Sequence, residues 1–285
     1  MRYRCVSFLS DFGHADEFVG VVHAVLADLA PEVRVVDLSH GVTPHDVRAG
    51  ALALARCTPY VPSGVILAVV DPGTGTDRKA VAIEVAGGEG VFVGPDNGLL
   101  APAVALAGGA ERAVVLTNPE YQLPAPGATF SARDVFAPAA AHLFNGVPLT
   151  ELGDLVEPSL LLPGILPLVR HEDGELVAEV LWVDRYGNAQ LNVEPSDLDG
   201  WGEAVSVRFG EEVRTAFRAT SFDGIGNRVG LVADAQGLLS VALARRSAAD
   251  ELGLAPNTEV RLVRLGDGPG GPPGVSTPVQ LRPRP

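Results

Sequence analysis

The sequence predicts two domains: an α/β N-terminal domain with a mostly parallel sheet, then a smaller antiparallel β-barrel-like C-terminal domain. Three observations carry this. Apolar runs alternate with helix-period segments as far as Asn145. A proline-spotted stretch, Pro148–Pro167, then breaks the pattern. Short alternating runs separated by Gly, Asp and Asn follow it. The expected division is residues 1–155, a linker over 156–170, a β-rich domain over 171–265 and a poorly ordered tail over 266–285.

Each element has a local reason. Val6–Ser10 is an apolar run of strand length. Phe18, Val21, Val22, Val25, Leu26 and Leu29 recur at helical spacing. Val33–Leu38 reads as a second strand. Thr43-Pro44-His45-Asp46 reads as a helix start, with Thr43 as cap, Pro44 in the first turn and a helix running to about Cys57. Val65–Val70 has the composition of a strand buried on both faces. This β-α-β-α-β order implies parallel pairing. Ser131-Ala132-Arg133-Asp134 reads as a further helix start, stopped by Asn145-Gly146. Leu176–Val183, Ala204–Phe209, Val229–Val232 and Val260–Val263 are the strands expected in the second domain. No internal repeat is visible.

Composition removes several classes of function. The 285 residues carry a formal charge of −14, which opposes binding to phosphate backbones, so no nucleic-acid partner is expected. Although 47% of residues are hydrophobic, no apolar run reaches membrane-spanning length, and no signal peptide is visible. Two cysteines, Cys5 and Cys57, build neither a disulfide framework nor a four-cysteine metal site, and both read as buried thiols. A cytoplasmic protein is expected. The histidines are scattered along the chain, so no metal is expected, and no cofactor. Lys79 is the single lysine, and a Gly-Lys-Ser/Thr phosphate loop is absent. So are His-Glu-x-x-His and Gly-x-Ser-x-Gly.

Five short stretches offer chemistry. Ser10-Asp11-Phe12-Gly13 follows the first strand, where ligands of parallel sheets bind. Asp11 there is either a ribose-gripping carboxylate or a turn and capping acid. Asp71-Pro72-Gly73-Thr74-Gly75-Thr76-Asp77-Arg78 follows the third strand. Its glycines permit close approach of a ligand, and Asp71 and Arg78 could meet across the loop to position a nucleophile. A glycine turn with a surface ion pair reads equally well. Gly94-Pro95-Asp96-Asn97-Gly98 is a tight turn. In Thr129-Phe130-Ser131-Ala132-Arg133-Asp134, capping accounts for Ser131 and Asp134, and pairing for Arg133. Asp184-Arg185-Tyr186-Gly187-Asn188 combines an acid, an aromatic face and an amide, as a purine site or a hairpin turn would.

Taken together and in this order, these stretches resemble the S-adenosylmethionine hydroxide adenosyltransferase family, relatives of fluorinase and chlorinase. The resemblance runs from Phe8 to about Val263 and includes Asp16 with Phe18-Val19-Gly20 and Thr43–Val47. It implies S-adenosylmethionine as a small-molecule substrate and water attack at ribose C5′, giving adenosine and methionine. It also implies a homotrimer with sites between subunits. By resemblance, Asp11 holds the ribose hydroxyls and Asp16 faces the methionine amine. Asp71, Arg78 and Ser131 occupy the positions of the family's water-handling Asp-Arg-His triad, and Thr74 and Phe130 are substrate-binding. Asp184, Tyr186, Asn188 and Phe222 match the second-domain side of the site.

The chain departs from the family pattern at three places. Ser131-Ala132 stands where the family has His-Gly, and serine is a poor base near neutral pH. Asp234-Ala235 replaces an Asn-Ser pair, and Ala244 replaces an asparagine near adenine. Three readings follow. The first is a hydrolase. The second is a protein that holds adenosine or S-adenosylmethionine without turnover. The third is a halide-using enzyme, which an ionised Asp71 opposes by on the order of 4 kcal/mol at contact.

Overall fold

A computed structural model describes residues 3–265; the tail expected from Gly266 lies outside them. The chain divides into two compact units between Pro167 and Leu168.

The N-terminal unit contains β1 (Val6–Ser10), α1 (Phe18–Leu29), β2 (Val35–Ser39), α2 (Val47–Cys57), β3 (Val65–Val69), β4 (Ala80–Val85) and β5 (Gly90–Pro95). It continues with α3 (Ala101–Leu106), β6 (Arg112–Val115), α4 (Ala137–Phe144) and β7 (Asp154–Val156). Its sheet has the order β2-β1-β3-β5-β4-β6-β7. The expected mostly parallel sheet is corrected here: it is mixed. The β2-β1-β3-β5 half is parallel, and the β5-β4-β6-β7 half is antiparallel. The reason lies in the connections. Helices α1 and α2 return the chain for parallel pairing, but β4 and β5 are joined by a tight turn over residues 86–89. Ala86, Gly87 and Gly88 all have positive φ there, and a turn that short permits only antiparallel pairing.

All five residues of β1 and of β3 are buried, as expected of strands covered on both faces. One apolar layer joins Phe8, Val22, Leu26, Phe136 and Phe144; the other joins Leu9, Leu54, Phe92, Leu99 and Val104. Fully burying side chains of this size contributes roughly 1.5–3 kcal/mol each.

Two expected helix starts differ in detail. Thr43 does not cap α2. His45 takes φ 68°, and Asp46 is the cap, accepting from the Ala49 N–H at 2.8 Å. Positive φ at His45 is incompatible with a helix already begun at Pro44. Near Ser131, the chain makes one π-helical turn, Ala132–Phe136, that runs directly into α4. Ser131 makes no capping hydrogen bond, so its hydroxyl is free for other partners. Cys5 is buried as expected, whereas Cys57 at the end of α2 is only half-buried. Within the stretch expected to be a linker, Leu161 packs on the N-terminal core and the Leu162 N–H donates to Asp96 at 2.8 Å.

The C-terminal unit contains β8 (Arg170–Glu172), β9 (Glu175–Val183), β10 (Ala189–Leu191), β11 (Ala204–Phe209), β12 (Glu212–Ala219) and β13 (Val229–Ala233). Then come β14 (Leu239–Leu243), α5 (Ala248–Leu252) and β15 (Glu259–Arg264). The strand order is β10-β14-β13-β12-β11-β15-β9-β8, and a β10–β9 pairing closes seven of these strands into a barrel. Closure removes the edges that an open sheet would leave unpaired. Pairing is antiparallel except between β12 and β13, which run parallel because residues 220–228 return the chain to the level of Ala216 before β13 begins. Val180, Leu191, Val205, Val241 and Leu262 fill its interior.

Candidate active site

Asp71 leaves the C-terminal end of β3, where the parallel half of the sheet presents its strand ends. The loop that follows is built by its own hydrogen bonds. The Thr74 N–H donates to the Asp71 carbonyl at 3.2 Å, and the Thr76 hydroxyl to the Gly73 carbonyl at 2.7 Å. Gly75 has φ 80°, and a Cβ there would lie 3.2 Å from the Ala128 carbonyl oxygen. The loop brings Arg78 back onto Asp71. Nε donates to Oδ1 at 3.0 Å and Nη2 to Oδ2 at 2.5 Å, a bidentate pair. The side chains are 4% and 11% exposed for Asp71 and Arg78, which settles against a solvated surface ion pair. The guanidinium also lies over the Phe136 ring, 5.2 Å from its centroid.

Ser131 joins this pair. Its Oγ lies 3.2 Å from Thr74 Oγ1 and 3.5 Å from Arg78 Nη2. Four polar side chains from two distant segments thus meet: Asp71, Thr74, Arg78 and Ser131. Burial pushes the Asp71 carboxyl above its ordinary range; Arg78 pulls it down, and the charge of Asp11 pushes it up again. A carboxylate oxygen that accepts one guanidinium bond keeps a lone pair for water, and the two hydroxyls supply further donors and acceptors. The arrangement can hold and orient a water beside an anionic oxygen.

Asp11 is not a helix cap. Its Oδ2 accepts from the His45 N–H at 2.8 Å, joining the loop after β1 to the turn before α2. Asp16 is exposed in the loop before α1. Phe130 packs edge-on against Phe12 and Phe18, at centroid separations of 5.9 and 5.0 Å. The Arg133 guanidinium lies near Phe130, 5.3 Å from the ring centroid, and is held by buried Asp134 through bonds of 2.6 and 2.9 Å. Phe12 and Phe18 were not among the expected site residues. Their signal was present, since both lie in the resembling stretches, but helical spacing assigned Phe18 to the core. It is 38% exposed.

In the C-terminal unit, Asp184, Tyr186 and Asn188 share the loop between β9 and β10. Asp184 Oδ1 accepts from the N–H groups of Tyr186 and Asn188 at 2.8 and 2.9 Å, and Oδ2 from Asn188 Nδ2 at 2.8 Å. Gly187 has φ 81°, and a Cβ would come within 2.6 Å of Ser247 Cα, so the turn needs glycine. The loop leaves Tyr186 79% exposed. Phe222, 44% exposed, lies on the separate β12–β13 connection and is not joined to this loop by any described hydrogen bond or ring contact. Asp234, one of the departures, is a local hub that accepts from Gln190 Nε2 at 2.6 Å and from the Ser240 hydroxyl at 3.1 Å. Asn97, in the expected tight turn, donates to the Val70 carbonyl at 2.9 Å and is structural.

Matches to known proteins bear on this geometry. The model of the SAM hydroxide adenosyltransferase N-terminal domain matches residues 6–153, and that of the C-terminal domain matches residues 178–261. The chain belongs to this family. The (R)-S-adenosyl-L-methionine hydrolase of Salinispora tropica is 46% identical over 258 residues, covering 90% of this chain and 97% of that one. The protein of the same name from Thermus thermophilus is 46% identical over 268 residues, covering 91% and 100%. An uncharacterized conserved protein from Thermotoga maritima has a solved structure that superposes with a TM-score of 0.83 at 31% identity, covering 91% and 100%. Among the described residues, no helix is long and apolar enough to cross a membrane.

Proposed function

We propose that this chain hydrolyses S-adenosylmethionine to adenosine and methionine, water displacing methionine at ribose C5′. The observation that carries the reading is the buried Asp71–Arg78 pair with Ser131 and Thr74 against it. The sulfonium is already a good cationic leaving group, so the protein has to align the nucleophile and remove competing solvent. Asp71 accepts a proton of the attacking water, Arg78 fixes the carboxylate, and the hydroxyls of Ser131 and Thr74 hold the water in line. Asp11 grips the ribose and Asp16 meets the methionine amine. Phe130 contributes an apolar wall. Asp184, Tyr186, Asn188 and Phe222 take the adenine and methionine side. No cofactor enters this scheme, and two free thiols suit a reducing, cytoplasmic setting.

The test is nucleoside chromatography after incubation in ¹⁸O-labelled water. Label in the 5′-hydroxyl of adenosine is expected. Unchanged ligand would establish the non-catalytic binding protein, a reading that Ser131 in place of a histidine favours. A halogenated nucleoside would establish the halide-using enzyme. The proposal extends to a homotrimer in which the two halves of each site come from neighbouring subunits. Light scattering at micromolar concentration is expected to give three times the chain mass, and a monomer would refute it.

A further inference from the structure

The histidines that are scattered in sequence are not scattered in space. His23 on α1, Asp37 on β2 and His40 just after β2 bring one ligand atom each to within 4.8 Å of one another. His23 Nε2 lies 2.9 Å from Asp37 Oδ1, and His40 Nε2 lies 3.1 Å from the same oxygen. The fold makes this meeting unavoidable. Parallel pairing sets Asp37 beside Phe8, and the Phe8 ring packs against both imidazoles, at 6.2 Å from His23 and 4.6 Å from His40.

His40 is the decisive member. Its side chain is 1% exposed, and Nε2 makes no hydrogen bond of acceptable geometry despite its closeness to Asp37. The other ring nitrogen, Nδ1, lies 2.8 Å from Ser10 Oγ. When Nδ1–H donates to that hydroxyl, Nε2 keeps a buried lone pair 3.1 Å from a carboxylate oxygen. A bare nitrogen lone pair that close to a carboxylate oxygen is repelled by it unless a cation lies between them. An acceptor on the far nitrogen is also how ligating imidazoles are commonly oriented.

The geometry points to a binding site for a divalent transition-metal ion, of the zinc class, formed by His23 Nε2, Asp37 and His40 Nε2. Two imidazoles and one carboxylate are a donor set suited to such ions, with remaining positions left to water. Ligand atoms around tetrahedral zinc sit about 3.4 Å apart, so the two separations from Asp37 open by only a few tenths of an ångström, and the imidazole nitrogens, within 4.8 Å of each other, settle to the same spacing. Asp37 and His23 are 42% and 36% exposed, which provides the path of entry. The ion would also stiffen the loop after β1, because Ser10 holds His40 and the His40 carbonyl accepts from the Gly13 N–H at 2.7 Å.

The test is equilibrium dialysis of the full chain against Zn²⁺, with Co²⁺ absorption as a second readout. The parent is expected to bind one ion per chain, with Co²⁺ giving the visible bands of a low-coordinate site. His23→Gln and Asp37→Asn alter partly exposed side chains and are expected to fold. Each should weaken Zn²⁺ binding by more than the roughly 10–100-fold that loss of a supporting group costs. His171→Gln, at an exposed histidine of β8, should leave binding unchanged. Failure of the parent to bind stoichiometrically, or binding that survives both His23→Gln and Asp37→Asn, would overturn the assignment.

Discussion

Asp71 and Asp184 are both loop acids at strand ends, yet the protein treats their charges in opposite ways. Asp71 is buried and its carboxylate is answered by a side chain, Arg78. Asp184 is answered by amides of its own loop, two main-chain and one from Asn188. A carboxylate satisfied by neighbouring backbone sets a loop's shape, and here it presents Tyr186 outward. A buried carboxylate held by one guanidinium retains lone pairs and a perturbed basicity, which is what chemistry requires. On the proposed reading, the first loop serves the reaction and the second serves recognition.

Truncating each acid is the strongest way to break that assignment. Asp71→Ala should lower kcat by about 10²–10⁴-fold with little change in ligand affinity, since it removes an interaction that matters most in the transition state. Asp184→Ala should do the reverse. Losing the acceptor of three hydrogen bonds costs the loop about 1–2 kcal/mol of order, and about tenfold in KM, with kcat nearly kept. Steady-state kinetics on the two variants decides it. Exchanged phenotypes would show that Asp71 grips ribose and Asp184 serves the chemistry.

A smaller effect comes from pH. Burial and the Asp11 charge outweigh the Arg78 contribution and hold the Asp71 carboxyl above the ordinary 3.8 of an aspartate. The catalytically useful form is ionised, so the acid limb of kcat should fall at a higher pH than an unperturbed aspartate would give. Stability carries the opposite slope in that window. Between the ordinary value and the raised one the folded state binds more protons than the unfolded, so stability declines as pH rises through it. Removing the partner with Arg78→Gln should move the carboxyl higher still, as read by ¹³C NMR of the Asp71 side chain. A downward move would mean that Arg78 is not its main stabilising charge.

How far these features were legible in the sequence depended on how local their causes are. The strands β1 and β3 and helix α1 announce themselves through periodicity, because the burial of each is written in its own residues. The mixed sheet was hidden because it depends on a four-residue connection at Ala86–Glu89, where positive φ at Ala86, Gly87 and Gly88 reverses the chain. The Thr43 cap failed for a similar reason: left-handed His45 delays the helix to Asp46. Asp71 and Arg78 were legible as a pair since they share one loop. The His23–Asp37–His40 group was not, because pairing of β1 with β2 and packing of α1 assemble it from three segments.

The smallest expected effect, and the sharpest probe of the Asp71 loop, is Ser131→His. If the loop retains the family's triad logic, an imidazole at 131 restores a group whose pKa lies near working pH and raises the hydrolysis rate. General-base help is typically worth at most roughly 10²–10⁴-fold, and a ring in an unadapted loop should realise only about a few-fold of it. The structure removes one objection: Ser131 makes no capping hydrogen bond, so α4 loses no cap. It raises another. The Ser131 hydroxyl is 3.2 Å from Thr74 Oγ1, and an imidazole must displace that contact. Ala132 is 2% exposed and packs in the core, so its methyl group limits how the ring can turn. Ser131→His combined with Ala132→Gly relieves that at a cost of about 1 kcal/mol in helix propensity, before lost packing. Single-turnover rates with thermal melts separate the outcomes. A gain in the double variant above the parent places the missing base at 131. Equal rates in folded, ligand-binding variants mean that Asp71, Arg78 and the two hydroxyls handle water without a third titrating partner.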